Sequence, residues 1–219
     1  YYNGYANRTL WPLFHYRLDL TEIARDFAGG YARVNERFAE TLAPLIAPDD
    51  LIWVHDYHLM PLGSRLRERG FANRIGFFLH IPWPPPSLLM SLPGHRELAE
   101  SMLDYDVIGF QSDEWRQAFI DYATVQFDAT ITGDYLTLGQ RRTRLLACPI
   151  GLDIEDFGGA VHSIAAKQAE SRLVVSAVGR DMIVGVDRLD YSKGLQERFA
   201  AYELLLTGRP ELREKVSLL

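Results

Sequence analysis

Three apolar runs of strand length, Leu51-Ile-Trp-Val-His-Asp, Arg74-Ile-Gly-Phe-Phe-Leu-His-Ile and Val107-Ile-Gly-Phe, alternate with amphipathic helical segments. Runs that are apolar at successive positions, rather than at every second one, suit strands buried on both faces. Parallel strands joined by crossover helices have that property. Between the runs, Tyr31, Val34, Phe38, Leu42, Leu45 and Ile46 keep helical spacing until Asp49-Asp50 breaks it. Leu59 to Arg69 reads as a basic-faced helix closed by Gly70. Arg96 to Leu103 reads as another, and a third starts at Ser112 as N-cap and runs to about Phe127. The expected fold class is α/β, a doubly wound parallel sheet with helices on both faces. Pro82-Trp-Pro-Pro-Pro can be neither helix nor central strand and predicts a rigid loop. Residues 128–147 read as hairpin-like, with Arg141, Arg142 and Arg144 leading into a further buried strand. Composition turns small and polar around 155–180, and a new strand–loop–helix unit begins near 181.

With a net charge of −6 and 24% charged residues in 219, nothing points to nucleic acid as a partner, so any phosphate binding must be local. The longest apolar runs fall far short of the roughly 18–20 residues a membrane span needs. No signal peptide is visible, and a cytoplasmic protein without a membrane partner is expected. The lone cysteine, Cys148, lies in the apolar run Leu145-Leu-Ala-Cys-Pro-Ile. It reads as a buried, inert packing residue, and one cysteine permits no intrachain disulfide.

In doubly wound folds ligands sit outside the carboxyl ends of the strands. The polar residues at those ends form a convergent set: His55, Asp56 and His58, then His80 ahead of the proline loop, then Gln111, then Asp187 and Arg188. The most telling stretch is Gly185-Val-Asp-Arg-Leu-Asp-Tyr-Ser-Lys-Gly-Leu. There the run Met182, Ile183, Val184, Val186 stops at Asp187, two cations follow at Arg188 and Lys193, and Gly194 precedes a helix. Backbone N–H groups at a helix start favour an anion, and the two cations complete a phosphate cradle. An arginine fork and a mobile lysine charge suit a diphosphate whose charge grows as it leaves. A carboxylate at a strand end, Asp56, can accept from two adjacent sugar hydroxyls. The rigid loop after His80 fixes where its imidazole points, which favours a substrate contact. His55 and His58, three apart at a strand end, do not share a face, and no third metal ligand is evident. The aromatic segment containing Tyr2 and Trp11 is readable either as core or, because Asn3, Asn7 and Arg8 interleave, as an aromatic wall of a carbohydrate site.

Five ordered motifs resemble the trehalose-6-phosphate synthase family: Tyr-Tyr-Asn-Gly…Leu-Trp-Pro-Leu-Phe-His-Tyr, Trp53-Val-His-Asp-Tyr-His-Leu, Phe77-Phe-Leu-His-Ile-Pro-Trp-Pro, Tyr105-Asp-Val-Ile-Gly-Phe-Gln and Val186-Asp-Arg-Leu-Asp-Tyr-Ser-Lys-Gly-Leu. The resemblance covers nearly the whole chain, is weakest at 128–145 and 155–180, and is to bacterial forms. It implies a retaining glucosyltransferase of GT-B architecture, two Rossmann-like domains with the active site in the cleft between them. Such an enzyme moves glucose from a nucleotide-glucose, usually UDP-glucose, to glucose 6-phosphate and forms trehalose 6-phosphate. It requires neither metal nor cofactor. Carried over by motif, Tyr2 and Trp11 would line the glucose 6-phosphate site, with Tyr2 sharing the phosphate. Asp56 would bind acceptor hydroxyls and His80 the donor glucose near its 6-hydroxyl, while Arg188 and Lys193 would hold the donor diphosphate. His80, Arg188 and Lys193 would form the catalytic set, around a front-face displacement in which the leaving diphosphate takes the acceptor proton.

On this resemblance, residues 1–155 are expected to be an N-terminal, acceptor-side domain truncated at its start. Residues 156–180 would connect it to the beginning of a nucleotide-sugar-binding domain at 181–219. An internal fragment without transferase activity of its own is expected, since the family's glycine-rich loop, a further phosphate-binding arginine and the base pocket match nothing here. A homo-oligomeric full-length form is compatible with the reading. Sister enzymes on the same scaffold, glucosylglycerol-phosphate synthases and cyclitol pseudo-glycosyltransferases, share the diphosphate loop. A non-catalytic sugar-phosphate sensor is a reading from another class. A dinucleotide-dependent oxidoreductase is disfavoured, because no Gly-x-Gly-x-x-Gly follows any expected strand.

Overall fold

A computed structural model describes residues 1–219. An irregular helical stretch, Tyr2–Leu10, kinks at Gly4 and runs into α1 (Trp11–Phe14). There follow α2 (Arg25–Leu42), β1 (Ile52–His55), α3 (Leu62–Glu68), β2 (Ile75–Leu79), α4 (Pro86–Leu89), α5 (His95–Ser101), β3 (Val107–Phe110) and α6 (Asp113–Phe127). Three strands close the series, β4 (Thr130–Thr132), β5 (Tyr135–Leu138) and β6 (Arg141–Ala147). The sheet order is β1-β2-β3-β6-β5-β4. β1, β2, β3 and β6 run parallel, and β4 and β5 form an antiparallel meander that feeds β6. Each expected parallel strand and the hairpin at 128–147 are therefore present. The first long helix starts at Arg25, earlier than the apolar spacing indicates, and its last turn tightens into the 3-10 segment Ala43–Leu45. The helix expected from Leu59 begins at Leu62, after hydrogen-bonded turns.

Strand parity decides where the core lies. Val54, Ile75, Phe77, Leu79, Ile108, Phe110 and Leu145 are buried on one face against Leu66, Leu98, Phe119 and Ile120 of the helices. The other face, bearing Trp53, His55, Gly76, Phe78, Val107, Gly109 and Leu146, has no helix on it and lines an open cavity of about 450 Å³. Trp53 is accordingly 64% exposed. Within residues 1–219 the helices that pack on this sheet gather on the opposite face. The same parity corrects the reading of Cys148. Two residues beyond Leu146 it falls on the bare face, and its thiol is exposed rather than packed in the core.

Two glycines fix close approaches. A Cβ at Gly63 would meet the Tyr105 ring at 2.7 Å, where the Tyr105 hydroxyl accepts the Gly63 N–H at 2.9 Å and donates to the Leu59 carbonyl at 3.1 Å. A Cβ at Gly109 would meet the Phe78 ring at 2.6 Å.

The chain divides into two units, Tyr1–Ile150 and Gly151–Leu219. In the second, the stretch around 155–180 forms α7 (Ile154–Val161) and α8 (Ile164–Ala177), capped by Asp153 and Ser163. β7 (Asp181–Ile183), α9 (Leu195–Gly208) and β8 (Val216–Leu218) follow, with β7 and β8 paired in parallel. Ala177 is the only buried residue of this unit. No helix in the chain is long and apolar enough to cross a membrane.

Candidate functional site

At the carboxyl ends of β1 and β2 the side chains are fastened to one another. Asp56, the first residue past β1, has φ +70°, a left-handed conformation that Asp adopts more readily than most residues. Its N–H donates to the Phe78 carbonyl at 2.8 Å, and its carboxylate accepts the His80 N–H at 3.2 Å. The His80 ring bonds through Nε2 to Nδ1 of His55 at 2.9 Å, the two rings lying 26° from parallel. Trp53 packs on His55 at 4.4 Å and Phe78 on His80 at 4.8 Å. Downstream, Trp83 is fully buried against Phe14 and Phe119, so the proline loop after His80 is anchored in the core.

The turn after Asp56 supplies the aromatic wall. Tyr57 is buried and donates its hydroxyl to Asn7 Oδ1 at 2.7 Å. The His58 ring lies between Tyr57, 3.9 Å away, and Tyr2, 5.3 Å away and within 10° of parallel. Trp11 packs on Tyr57 at 5.7 Å and on His15 at 4.0 Å. Burial holds the His58 imidazole below the ordinary histidine value of 6.5, with the Asp56 charge pulling weakly the other way. A neutral ring follows, and its Nε2 is buried without a partner. Tyr2, 56% exposed, presents its outer face to solvent. The continuous contact chain Tyr2–His58–Tyr57–Trp11 therefore borders Asp56, which in turn holds His80. Six of the residues singled out in the sequence, Tyr2, Trp11, His55, Asp56, His58 and His80, gather at one corner. Gln111 does something else: its side chain accepts the Ile150 N–H at 2.9 Å and ties down the end of the first unit.

The loop after β7 is built separately. Asp190 caps a single 3-10 turn, Tyr191–Lys193, by accepting the Ser192 N–H at 2.9 Å, and Gly194 at φ +64° turns the chain into α9. Asp187 pairs with Arg198 of α9, whose guanidinium passes so close to Gly185 that a Cβ there would collide with it. Arg188 and Lys193 are exposed and lie beside the start of a 14-residue helix. The arrangement can hold an anion on backbone N–H groups and two cations.

The model of glycosyltransferase family 20 matches residues 1–219. The chain belongs to that family. A trehalose-6-phosphate synthase of Cronobacter sakazakii is 46% identical over 219 residues, which are 99% of this chain and 46% of that protein. An Escherichia coli trehalose-6-phosphate structure bound with UDP-2-fluoro glucose superposes with a TM-score of 0.92 at 42% identity, covering 100% of this chain and 48% of that one. A UDP-forming α,α-trehalose-phosphate synthase of Burkholderia xenovorans, in complex with glucose-6-phosphate, does so with a TM-score of 0.89 at 43% identity, covering 100% and 49%. The chain spans about half the length of these relatives. As a member of family 20 it shares the GT-B fold class of those structures, with a parallel-dominated sheet in its first unit.

Two contributors to these sites, Tyr57 and Arg198, were not singled out in the sequence. Tyr57 and Asn7, fifty residues apart, join the wall to the N-terminal segment. Arg198 secures the cation loop from within α9. The signal for Arg198 was present in principle, since Asp187 at a strand end needs a cation and a helix starting at Leu195 presents its first turns toward the loop. Nothing local announces the Tyr57–Asn7 bond.

Proposed function

We propose that the full-length protein is a retaining glucosyltransferase that moves glucose from UDP-glucose to glucose 6-phosphate, forming trehalose 6-phosphate. What carries this reading is family-20 membership over all 219 residues combined with a fastened corner in which Tyr2, Trp11, Asp56 and His80 meet. The relatives bound with UDP-2-fluoro glucose and with glucose-6-phosphate support the two substrates. Tyr1–Ile150 is the acceptor-side domain in this reading, and Gly151–Leu219 begins the domain that binds the nucleotide sugar.

The residues divide the work by chemistry. Tyr2 and Trp11 line the acceptor hexose, and the Tyr2 hydroxyl shares its phosphate. Asp56, one oxygen of which already takes the His80 N–H, accepts from acceptor hydroxyls with its remaining lone pairs. His80 contacts the donor hexose. Arg188 and Lys193 stabilise the charge that develops on the diphosphate as the glycosidic oxygen leaves, a role worth most in the transition state. The leaving diphosphate takes the acceptor proton in a front-face displacement, so no protein nucleophile is needed.

A screen of UDP-, ADP- and GDP-glucose with glucose 6-phosphate on the full-length protein, with glycerol 3-phosphate as competing acceptor, tests the reading. Trehalose 6-phosphate formed fastest from UDP-glucose supports it. Preferred transfer to glycerol 3-phosphate would reassign the protein to the glucosylglycerol-phosphate synthases, and absence of transfer with every donor would make it a sugar-phosphate-binding relative.

A further inference from the structure

His55 has no part in the function proposed above, and its bond to His80 carries a specific consequence. His80 Nε2 lies 2.9 Å from His55 Nδ1, and a hydrogen bond between two neutral imidazoles requires one N–H and one bare nitrogen. If His80 Nε2 donates, both rings are in the Nε2–H tautomer, the more stable form of a neutral imidazole. If His55 Nδ1 donates, both must take the less stable Nδ1–H form. The first arrangement is favoured twice over. Both rings are exposed, and the strands place them: His55 is in register with Phe78 across the β1–β2 ladder, the Asp56 carboxylate accepts the His80 N–H, and Trp53 and Phe78 pack on the two rings.

We propose that His55 is a positioning residue that fixes the tautomer and orientation of His80, so that His80 Nδ1 is presented bare, as an acceptor for a hydroxyl of the donor hexose. The bond a histidine makes through one nitrogen sets what its other nitrogen can do. With His55 in place, His80 selects for a sugar hydroxyl that can donate to it. A hexose lacking that hydroxyl leaves that nitrogen without its partner. The role in catalysis rests on the proposed contact of His80 with the donor; the tautomer does not.

Two measurements on the full-length protein separate these layers. Nitrogen–proton correlation spectra with isotope-labelled histidine, taken above the ordinary histidine range, should show His80 protonated at Nε2 and bare at Nδ1. His55→Phe keeps a ring and removes the nitrogen, and should release His80 into a mixture of tautomers. His55→Asn, whose amide oxygen falls near the place of Nδ1, should restore the original signals. In kinetics, His55→Phe should lower kcat/KM for UDP-glucose about tenfold, the scale of one hydrogen bond. The KM for glucose 6-phosphate should hold, and His55→Asn should recover most of the loss. A His80 protonated at Nδ1, or spectra indifferent to His55→Phe, would overturn the tautomer assignment. Equal losses for donor and acceptor, or no rescue by His55→Asn, would overturn the positioning role. If His80→Ala itself left donor kinetics unchanged, the donor contact proposed for His80 would fail, and the positioning role with it, while the tautomer spectra stood.

Discussion

The corner at the ends of β1 and β2 and the loop between β7 and α9 are opposites in construction. In the corner, His55, Asp56, Tyr57, His58 and His80 each bond or stack on a neighbour, over a core that buries Tyr57, Phe77 and Trp83. In the loop, Arg188 and Lys193 are exposed, Leu189 is 96% exposed, and the surrounding unit buries only Ala177. The corner can recognise hydroxyls with little further ordering. To hold an anion as proposed, the loop would have to order two long side chains, at roughly 0.5–1.5 kcal/mol for each. The contrast suits their proposed tasks. Discriminating one sugar from another needs fixed geometry, whereas stabilising a departing diphosphate needs strong charges that engage as charge develops.

If that division is right, removing a cation should injure the rate most. Arg188→Ala in the full-length protein should lower kcat by about 10²–10³, as loss of one preorganised transition-state donor does elsewhere, with the KM for glucose 6-phosphate unchanged. An unaltered kcat in steady-state assays would remove Arg188 from the chemistry and erase the contrast. Next in size is the rigidity of the corner. Gly63→Ala would drive a methyl into the Tyr105 ring and should destabilise the first unit by about 1–3 kcal/mol. Thermal unfolding should show this as a lowered Tm; an unchanged Tm would mean that the turn from Leu59 to Gly63 yields easily.

Asp56→Asn should raise the KM for glucose 6-phosphate by about tenfold, the scale of a charge-assisted hydrogen bond reduced to a neutral one, and leave nucleotide binding by calorimetry intact. Equal loss of nucleotide affinity would place Asp56 with the donor instead. The smallest effect concerns pH. Because burial depresses the folded-state value of His58, the unfolded chain binds the extra proton first as pH falls. Stability from this group is fully present above the ordinary value of 6.5 and declines as pH drops below it, until the folded-state value is passed. Denaturant unfolding of wild type and His58→Phe across that window should show a steeper decline for wild type; parallel curves would mean that His58 is solvated.

Much of this was readable from residue order. The parallel strands, the meander at 128–147 and the turn at Gly194 follow from apolar runs and from glycine placement, because backbone sterics act over a few residues. Asp56, His80, Arg188 and Lys193 could be singled out because polar residues that end apolar runs have few structural reasons to be there. Parity within β6 placed Cys148 opposite to its apolar context, an error that no composition argument could have caught without knowing which face is covered.

The sequence by itself determined the types of the elements from Tyr31 to Ala147, the family and the candidate residues, because periodicity, turn chemistry and ordered motifs are local properties of the chain. The helices at Tyr2–Leu10, Ile154–Val161 and Ile164–Ala177 left no such signal. Only the tertiary structure decided which sheet face these helices cover, that His55 reaches His80, and that Tyr57 joins Asn7 fifty residues away. Those pairings depend on strand register and on which helices pack where, and a hydrogen bond between distant residues leaves no trace in the spacing of either partner.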